Sequence, residues 1–490
     1  MPEKTLLKPL EIERVPQKFA ANDHRVLPRF FFPGDESRAR AVVDRILKLS
    51  ERDVGEILTR VLRNFQERHH DIGAVFSEHY QRLGQHVYTN GHLSRERQLL
   101  IGAYFTMEYA VEAAALFNPS IVMAPNQDGV PEGAMRFLMS LRATGEGHVS
   151  SIVFREGVID KNGIFCFNPP SRFARRMRVV EDRRYDNYTF KLKLIEMGAY
   201  SDAVQRVLDL LGEQFSLTQL NDVISEARNV VDVPDTMSEA SENMLWLARS
   251  NYQLHIPPGA DPTELVIFPS SENESHGIED VRLVRFIEDD GTVFYFGTYT
   301  AYNGHRILPQ LIETSDFSSV LIHTLNGQFA QNKGMALFPR RINGWYMIVS
   351  RVDGENLYLM RSKNIRFWNE AELLQRPRFP WEIVQIGNCG SPIETEEGWL
   401  LLTHGVGPVR EYCIGASLLD LDDPSKVIGQ LKEPLLVPTE SERDGYVPNV
   451  VYTCGAMIHN HQLIIPYAVS DSATTFATVP VQDLLAHLKA

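Results

Sequence analysis

The sequence predicts an all-β core of propeller type with helical additions. Three observations carry this reading. After Phe117 the chain reads as short β-rich runs separated by turn residues, a strand-and-turn pattern recurs there about every 50 residues, and helical periodicity is confined to the first 116 residues and one later segment. At 490 residues the chain is long enough for several domains, or for one large closed β architecture with additions.

From Val54 the apolar residues Ile57, Leu58, Val61, Leu62 and Phe65 follow helical rhythm, with Ser50 and Asp53 as a capping-box-like start. A second helix is expected over Leu99 to Leu116, led by Ser94 as N-cap. These define an N-terminal helical extension over residues 1–116. The β runs follow: Ala134 to Leu141, Val149 to Phe154, Val293 to Tyr302, Trp345 to Ser350, Asn356 to Arg361, Trp399 to Thr403 and Gln462 to Ala468. Between Ala203 and Trp246 the helical rhythm returns. Val204, Val207, Leu208 and Leu211 stop at Gly212, and Leu217, Leu220, Ile224 and Ala227 follow a capping Ser216, so a helical insertion is expected at about 200–255.

A strand followed by Ser-x-Asp/Asn and an apolar residue occurs at Thr314-Ser315-Asp316-Phe317. It recurs at Ser362-Lys363-Asn364-Ile365, roughly 47 residues later, and similar strands lie near Cys413 and Thr475. The spacing suits one four-stranded blade per repeat and favours a propeller over a sandwich, although Ser-Asp turns are common in any β protein.

Composition narrows the partners. With 43% hydrophobic and 23% charged residues the chain has material for a core. The net charge of -14 argues against nucleic acid or an anionic membrane and for a small-molecule partner. Arg172, Arg175, Arg176, Arg178, Arg183 and Arg184, with Glu181 and Asp182 among them, read as a solvated loop or an interdomain ion-pair surface. Cys166, Cys389, Cys413 and Cys454 are scattered without disulfide or metal-ligand spacing. The start Met1-Pro2-Glu3-Lys4 lacks the apolar segment of a signal peptide, and no run approaches the ~18 apolar residues of a membrane span, so a cytoplasmic protein is expected.

Propellers gather their chemistry at the axial end, where polar motifs distant in sequence meet. Gly277-Ile278-Glu279-Asp280-Val281-Arg282 packs two acids and a guanidinium before a predicted strand; taken alone it reads as a salt-bridged turn. Other clusters are Phe117-Asn118-Pro119-Ser120, Arg142 within Leu141 to His148, Asn332 to Pro339, Thr403-His404-Gly405-Val406, Tyr412, Glu442 with Gly445 to Val450, and Pro466 to Asp471. Singly, Lys333 is a solvated charge and His404 a satisfied core histidine.

Together and in this order the segments, over roughly Phe117 to Leu485, resemble glycoside hydrolase family 130, the inverting β-mannoside phosphorylases and related β-1,2-mannosidases. The resemblance implies a five-bladed β-propeller over residues 117–490 with the sugar at its axial end. The family's usual Glu-Asp-Pro-Arg has Val281 in place of proline here, while the acid and the arginine remain. By resemblance Asp280 is the catalytic acid, and the segments of Asn118, Ser120, Arg142, Arg282, Glu442 and Asp471 belong to the sugar site. Lys333, His404, Tyr412 and, by a looser match, Arg306 would hold phosphate.

These roles agree with the chemistry of a mannoside, whose cleavage needs an acid at the leaving oxygen and a nucleophile on the opposite face. The resemblance implies no metal or organic cofactor; inorganic phosphate is the co-substrate and a β-mannoside oligosaccharide the substrate. Phosphorolysis to α-mannose 1-phosphate is the favoured reading, with the β-1,2 linkage preferred. Hydrolysis with Glu442, Glu394 or Glu146 as base is the alternative. A third reading is a sugar-binding propeller without catalysis, with Trp345, Trp381 and Trp399 as stacking candidates. The helical additions are candidates for subunit contacts or for a lid.

Overall fold

The computed structural model describes residues 9–87, 92–180, 183–228, 234–256 and 259–490. Met1 to Lys4, Glu181 and Asp182 lie outside the described residues.

The β-rich portion is built from successive antiparallel meanders. The first runs through Ala115–Met123, Met135–Thr144, Ser150–Ile159 and Phe165–Phe167. The second uses Gly277–Ile287, Val293–Tyr302, Ile307–Thr314 and Ser319–Thr324. The third uses Ala336–Leu337, Tyr346–Ser350, Leu357–Ser362 and Ala371–Gln375. The fourth has Gln385–Asn388, Gly398–Val406, Tyr412–Leu419 and Val427–Gln430. The fifth joins Val451–Tyr452, Gln462–Val469 and Ala473–Pro480 to Glu13–Phe19 from the other end of the chain. The repeat seen in the sequence has a physical basis. Both Ser-x-Asp/Asn copies form the turn from third to fourth strand, where Asp316 accepts from the Ser318 N–H (2.8 Å) and Asn364 from the Arg366 N–H (3.0 Å).

The first 116 residues are therefore not helical throughout. Val15 and Phe19 turn an apolar face to the core, where Phe19 packs on Phe476 of the last meander and Phe167 of the first. Helices α1 (Glu36–Leu47), α2 (Glu51–Phe65), α3 (Ile72–Leu83) and α4 (Arg95–Tyr104) follow. Ser50 and Ser94 cap α2 and α4 as expected, accepting from the N–H groups of Asp53 and Arg97. The helix expected over Leu99 to Leu116 stops at Tyr104. Beyond it Thr106–Glu112 is a strand paired with Asn22–Phe30, its buried Tyr109 and Val111 falling on alternate positions.

Helices α5 (Asn187–Glu196), α6 (Asp202–Leu210), α7 (Leu217–Arg228) and α8 (Pro234–Ser250) lie between the first and second meanders. They enclose their own apolar core of Phe190, Val207, Phe215, Leu220, Met244 and Leu247. The arginine cluster serves contacts between units: Arg178 reaches Glu78 of α3 (3.4 Å), Arg175 reaches Glu264 (3.6 Å), and Arg183 donates to Ile322 O (3.1 Å) of the second meander. Among the described residues no helix is long and apolar enough to cross a membrane.

Candidate active site

Asp280 owes its position to a β-bulge. In the second meander Glu279 pairs with Thr300 and Arg282 with Thr298, so Asp280 and Val281 together oppose Tyr299. Asp280 is left-handed at φ 57°, which turns its carboxylate out of the ladder. The first meander repeats the device: Asn118 (φ 49°) and Pro119 oppose Leu141 between the pairs Phe117–Arg142 and Ser120–Ser140. Position 281 thus corresponds to Pro119. The second residue of the bulge is a proline in the first meander and a valine in the second, so the backbone device does not depend on proline.

The two bulges face one another. Asn118 Nδ2 donates to Asp280 Oδ1 at 2.7 Å. Arg142, stacked on the Phe117 ring, reaches Asp280 Oδ1 at 3.4 Å and Glu279 Oε1 at 2.9 Å, and its Nε donates to Ser150 Oγ. Lys333 projects from a turn in which Asn332 (φ 63°) and Gly334 (φ 88°) are left-handed, and its Nζ lies 2.5 Å from Glu279 Oε2. Arg282 turns the other way, donating to Cys389 O (2.8 Å), Tyr452 Oη (2.6 Å) and Asp280 O (2.9 Å). Burial alone would raise the Asp280 pKa, but Arg142, Arg282, the Asn118 amide and Lys333 outweigh it and hold the carboxyl below its usual range. Asp471, on the second-to-third-strand turn of the fifth meander, goes the opposite way. Burial and the charge of Asp280 push it up to about 6, against the pull of Arg142 and Arg410.

Beside Arg282 lies a second group. His404 is buried, its ring parallel to Tyr412 (5.8 Å) and edge-on to Tyr452 (5.0 Å). Burial, then the charges of Arg351 and Arg282, lower its pKa well below the usual histidine value and keep the imidazole neutral. His404 Nδ1, Arg351 Nε and both side-chain polar atoms of Asn388 are buried without a protein partner, as is Asn118 Oδ1. Such groups each cost about 1 to 3 kcal/mol unless something fills their hydrogen bonds. Their clustering beside an acid marks a polar ligand site.

The family model described as beta-1,4-mannooligosaccharide phosphorylase, glycoside hydrolase family 130, matches residues 259–490. A 1,2-beta-oligomannan phosphorylase of Thermoanaerobacter sp. is 32% identical over 224 residues, 45% of this chain and 73% of the relative. The chain belongs to glycoside hydrolase family 130. A beta-1,2-mannobiose phosphorylase of Listeria innocua is 30% identical over 256 residues, covering 51% of this chain and 70% of that protein. A beta-1,4-mannooligosaccharide phosphorylase of Ruminococcus albus is 31% identical over 221 residues, 42% and 64% respectively.

In this family 130 chain the fold brings together Asn118, Arg142, Asp280, Arg282, Lys333, His404, Tyr412 and Asp471. Three expected residues stand elsewhere. Ser120 is fully buried and accepts from the Leu283 N–H (2.9 Å), stapling the first meander to the second. Glu442 accepts from the Thr439 N–H (2.9 Å) and Tyr467 Oη (2.6 Å) and pairs with Arg14, while its backbone carbonyl anchors Ser470 Oγ; it supports the Asp471 turn from behind. Arg306 is exposed on the second meander's hairpin tip and joins none of the hydrogen bonds or ion pairs that build the cluster. Of the alternative bases, Glu394 is paired with Arg340 on the surface and Glu146 is exposed on a hairpin tip. Trp381 and Trp399 are core residues, and Trp345 is covered by Lys363.

Arg351, Asn388, Glu279 and Tyr452 are the residues that sequence reasoning passed over. Only Glu279 had a local signal, its place in the Glu279-Asp280-Val281-Arg282 run.

Proposed function

We propose that the protein is an inverting β-mannoside phosphorylase, in which phosphate attacks the anomeric carbon of a non-reducing-end β-mannosyl unit. The products are α-mannose 1-phosphate and the shortened saccharide. The observation that carries the reading is the set of cations and unfilled polar atoms beside Asp280: Lys333, Arg351, Asn388 and His404, with Tyr412 stacked behind. A phosphate dianion accepts from the donors among them, Lys333 Nζ, Arg351 Nε, Asn388 Nδ2 and the Nδ1–H tautomer of His404, whereas one water molecule accepts from at most two.

Asp280 supplies the proton to the leaving oxygen. Its depressed pKa keeps it ionised in the free protein, and bound phosphate relieves this by placing negative charge among the cations that depress it. Asn118 and Arg142 fix the carboxylate and, with Asp471, line the mannosyl position. The β-1,2 linkage is preferred, a reading supported by the two relatives of greater coverage. Hydrolysis is a second reading because Asp471, linked to Asp280 through Arg142, holds a raised pKa suited to a base.

We read residues 117–490 as a five-bladed catalytic propeller. The bond from Cys454 N of the fifth meander to Pro119 O of the first (2.8 Å), which joins the last meander back to the first, supports it. Residues 1–116 are an extension that also supplies the outer strand of the last blade, and 200–255 hold the helical insertion. For self-association we point to the extension, where Ile57, Val61 and Phe65 line an apolar cavity of about 460 Å³. The free thiols of Cys389, Cys413 and Cys454 suit the reducing cytoplasm.

The test is incubation with linkage-defined mannobioses with and without phosphate, reading mannose 1-phosphate and free mannose. Release of mannose that ignores phosphate overturns the phosphorylase reading.

A further inference from the structure

The rim above Asp471 carries an aromatic residue that neither the catalytic acid nor the phosphate group uses. Tyr446 is 64% exposed, although a ring of this size ordinarily buries most of its surface. It is not a loose surface residue. Its N–H donates to Ser472 Oγ (3.0 Å) and the next N–H, of Val447, to Ser470 O (3.1 Å), so the residues on both sides of Asp471 fix it. Gly445 allows this approach: a Cβ there would stand 2.3 Å from Ser472 Oγ and 2.5 Å from Ser470 O.

On one side Tyr446 meets His148 at 5.9 Å with the planes 28° apart. His148 is left-handed (φ 60°) in the hairpin tip that Arg142 and Ser150 flank. The pair therefore joins the hairpin tip next to Arg142 to the segment bonded to the Asp471 turn, so that it stands beside the elements that carry two charged neighbours of Asp280, and most of the Tyr446 ring stays open to solvent. Pyranose rings present apolar C–H faces that stack on such a surface, while their hydroxyls stay free to bond to the polar rim.

We propose that Tyr446, backed by His148, is the platform for the leaving saccharide, the sugar unit on the acceptor side of the scissile bond. The inference rests on the mannoside reading above. It makes Tyr446 a specificity residue for the acceptor with no part in binding phosphate.

The synthetic direction separates these roles, with α-mannose 1-phosphate as donor and mannose or a β-mannobiose as acceptor. Tyr446→Ala raises the acceptor KM about 5- to 10-fold and leaves the donor KM within twofold, as expected for one lost stacking contact. Tyr446→Phe, which keeps the ring, retains the wild-type acceptor KM. Tyr446 is exposed, so equal thermal unfolding midpoints for the three proteins are expected and show that the fold is kept. An active wild-type protein whose Tyr446→Ala variant has an unchanged acceptor KM, or whose donor KM rises equally, overturns the platform alone. A wild-type protein that transfers no mannosyl unit in either direction overturns the mannoside reading, and the platform with it.

Discussion

Gly387 is the sharpest probe of the phosphate group, because it carries no functional atom and yet sets where two such atoms lie. It faces His404 across the fourth meander, in the strand that ends with Asn388. A Cβ built on it would stand 2.3 Å from His404 Cε1, 2.7 Å from His404 Nε2 and 2.5 Å from Arg351 Cδ. Relief to ordinary contact takes a shift of roughly 1 Å in one or both side chains, and overpacking of this kind costs about 1 to 3 kcal/mol. Arg351 can yield along its flexible stem. His404 is hemmed by Tyr412 on its face and Tyr452 at its edge, so its ring tilts rather than retreats. In Gly387→Ala the guanidinium and the imidazole are thus displaced, while Asn118, Arg142 and Lys333, which hold Asp280, are not among the groups nearest the added methyl.

Losing one charge-assisted hydrogen bond to phosphate is worth about 1.5 to 3 kcal/mol. That corresponds to a roughly 10- to 100-fold rise in phosphate KM. The mannoside KM is expected to change less than about threefold, since loss of ground-state binding at one subsite appears in that substrate's KM. Initial rates of mannose 1-phosphate release at saturating β-1,2-mannobiose and varied phosphate measure this. An unchanged phosphate KM, or a rise confined to the mannoside KM, refutes the assignment of His404 and Arg351.

Asp280→Asn is expected to lower kcat by about 10² to 10⁴, the range for a lost general acid, with mannoside binding by calorimetry retained. Asp471 has a folded pKa of about 6, above its unfolded value, so the folded state binds the extra proton between the two; stability is lost as pH rises through that window, and the penalty is complete above it. Asp471→Asn is accordingly more stable than wild type at pH 8, by about 1 to 3 kcal/mol, and no more stable at pH 3.5, as denaturant titrations at the two pH values would show. Glu112 is fully buried between Arg25 (2.8 Å) and Arg155 (2.6 Å), tying the strand Asn22–Phe30 to the first meander. Glu112→Gln leaves two guanidinium groups buried without their counter-ion and is expected to cost about 3 to 5 kcal/mol, read as a lower denaturant midpoint.

What the sequence revealed is what short-range physics decides. Ser50, Ser94 and Ser216 cap helices because a hydroxyl three residues ahead of a free N–H is a local arrangement, and each does so here. The Ser-x-Asp turns are local for the same reason. The helix expected through Leu116 failed at Tyr104, where pairing of Thr106–Glu112 with a strand some eighty residues earlier in the chain outweighed the local pattern. The pairing of Glu13–Phe19 with Ala473–Pro480 joins the two ends of the chain, and no window along the sequence spans it. Arg351 sits in an ordinary Arg-Val-Asp-Gly turn and Asn388 ends a short strand. Their unfilled polar atoms exist only once three meanders meet.

The meanders also show why the site is hard to read as a repeat. The second-to-third-strand tips bear Arg142 with Ser150, Arg306, Arg351, Arg410 and Asp471 at or beside corresponding places, and the first strands bear Asn118 and Asp280 in matching bulges. The hydrogen bond from Asn118 to Asp280 thus joins two copies of one structural position, one a donor and the other the acid. The backbone device recurs in the first and second meanders, whereas the side chain it presents differs, as the proposed site requires, because one small ligand needs an acid and a donor from different directions. Periodicity accordingly survives in the turns that only shape the chain and disappears at the positions of the proposed site. The Glu279-Asp280-Val281-Arg282 run was legible because its guanidinium follows directly on the bulge that carries its acid.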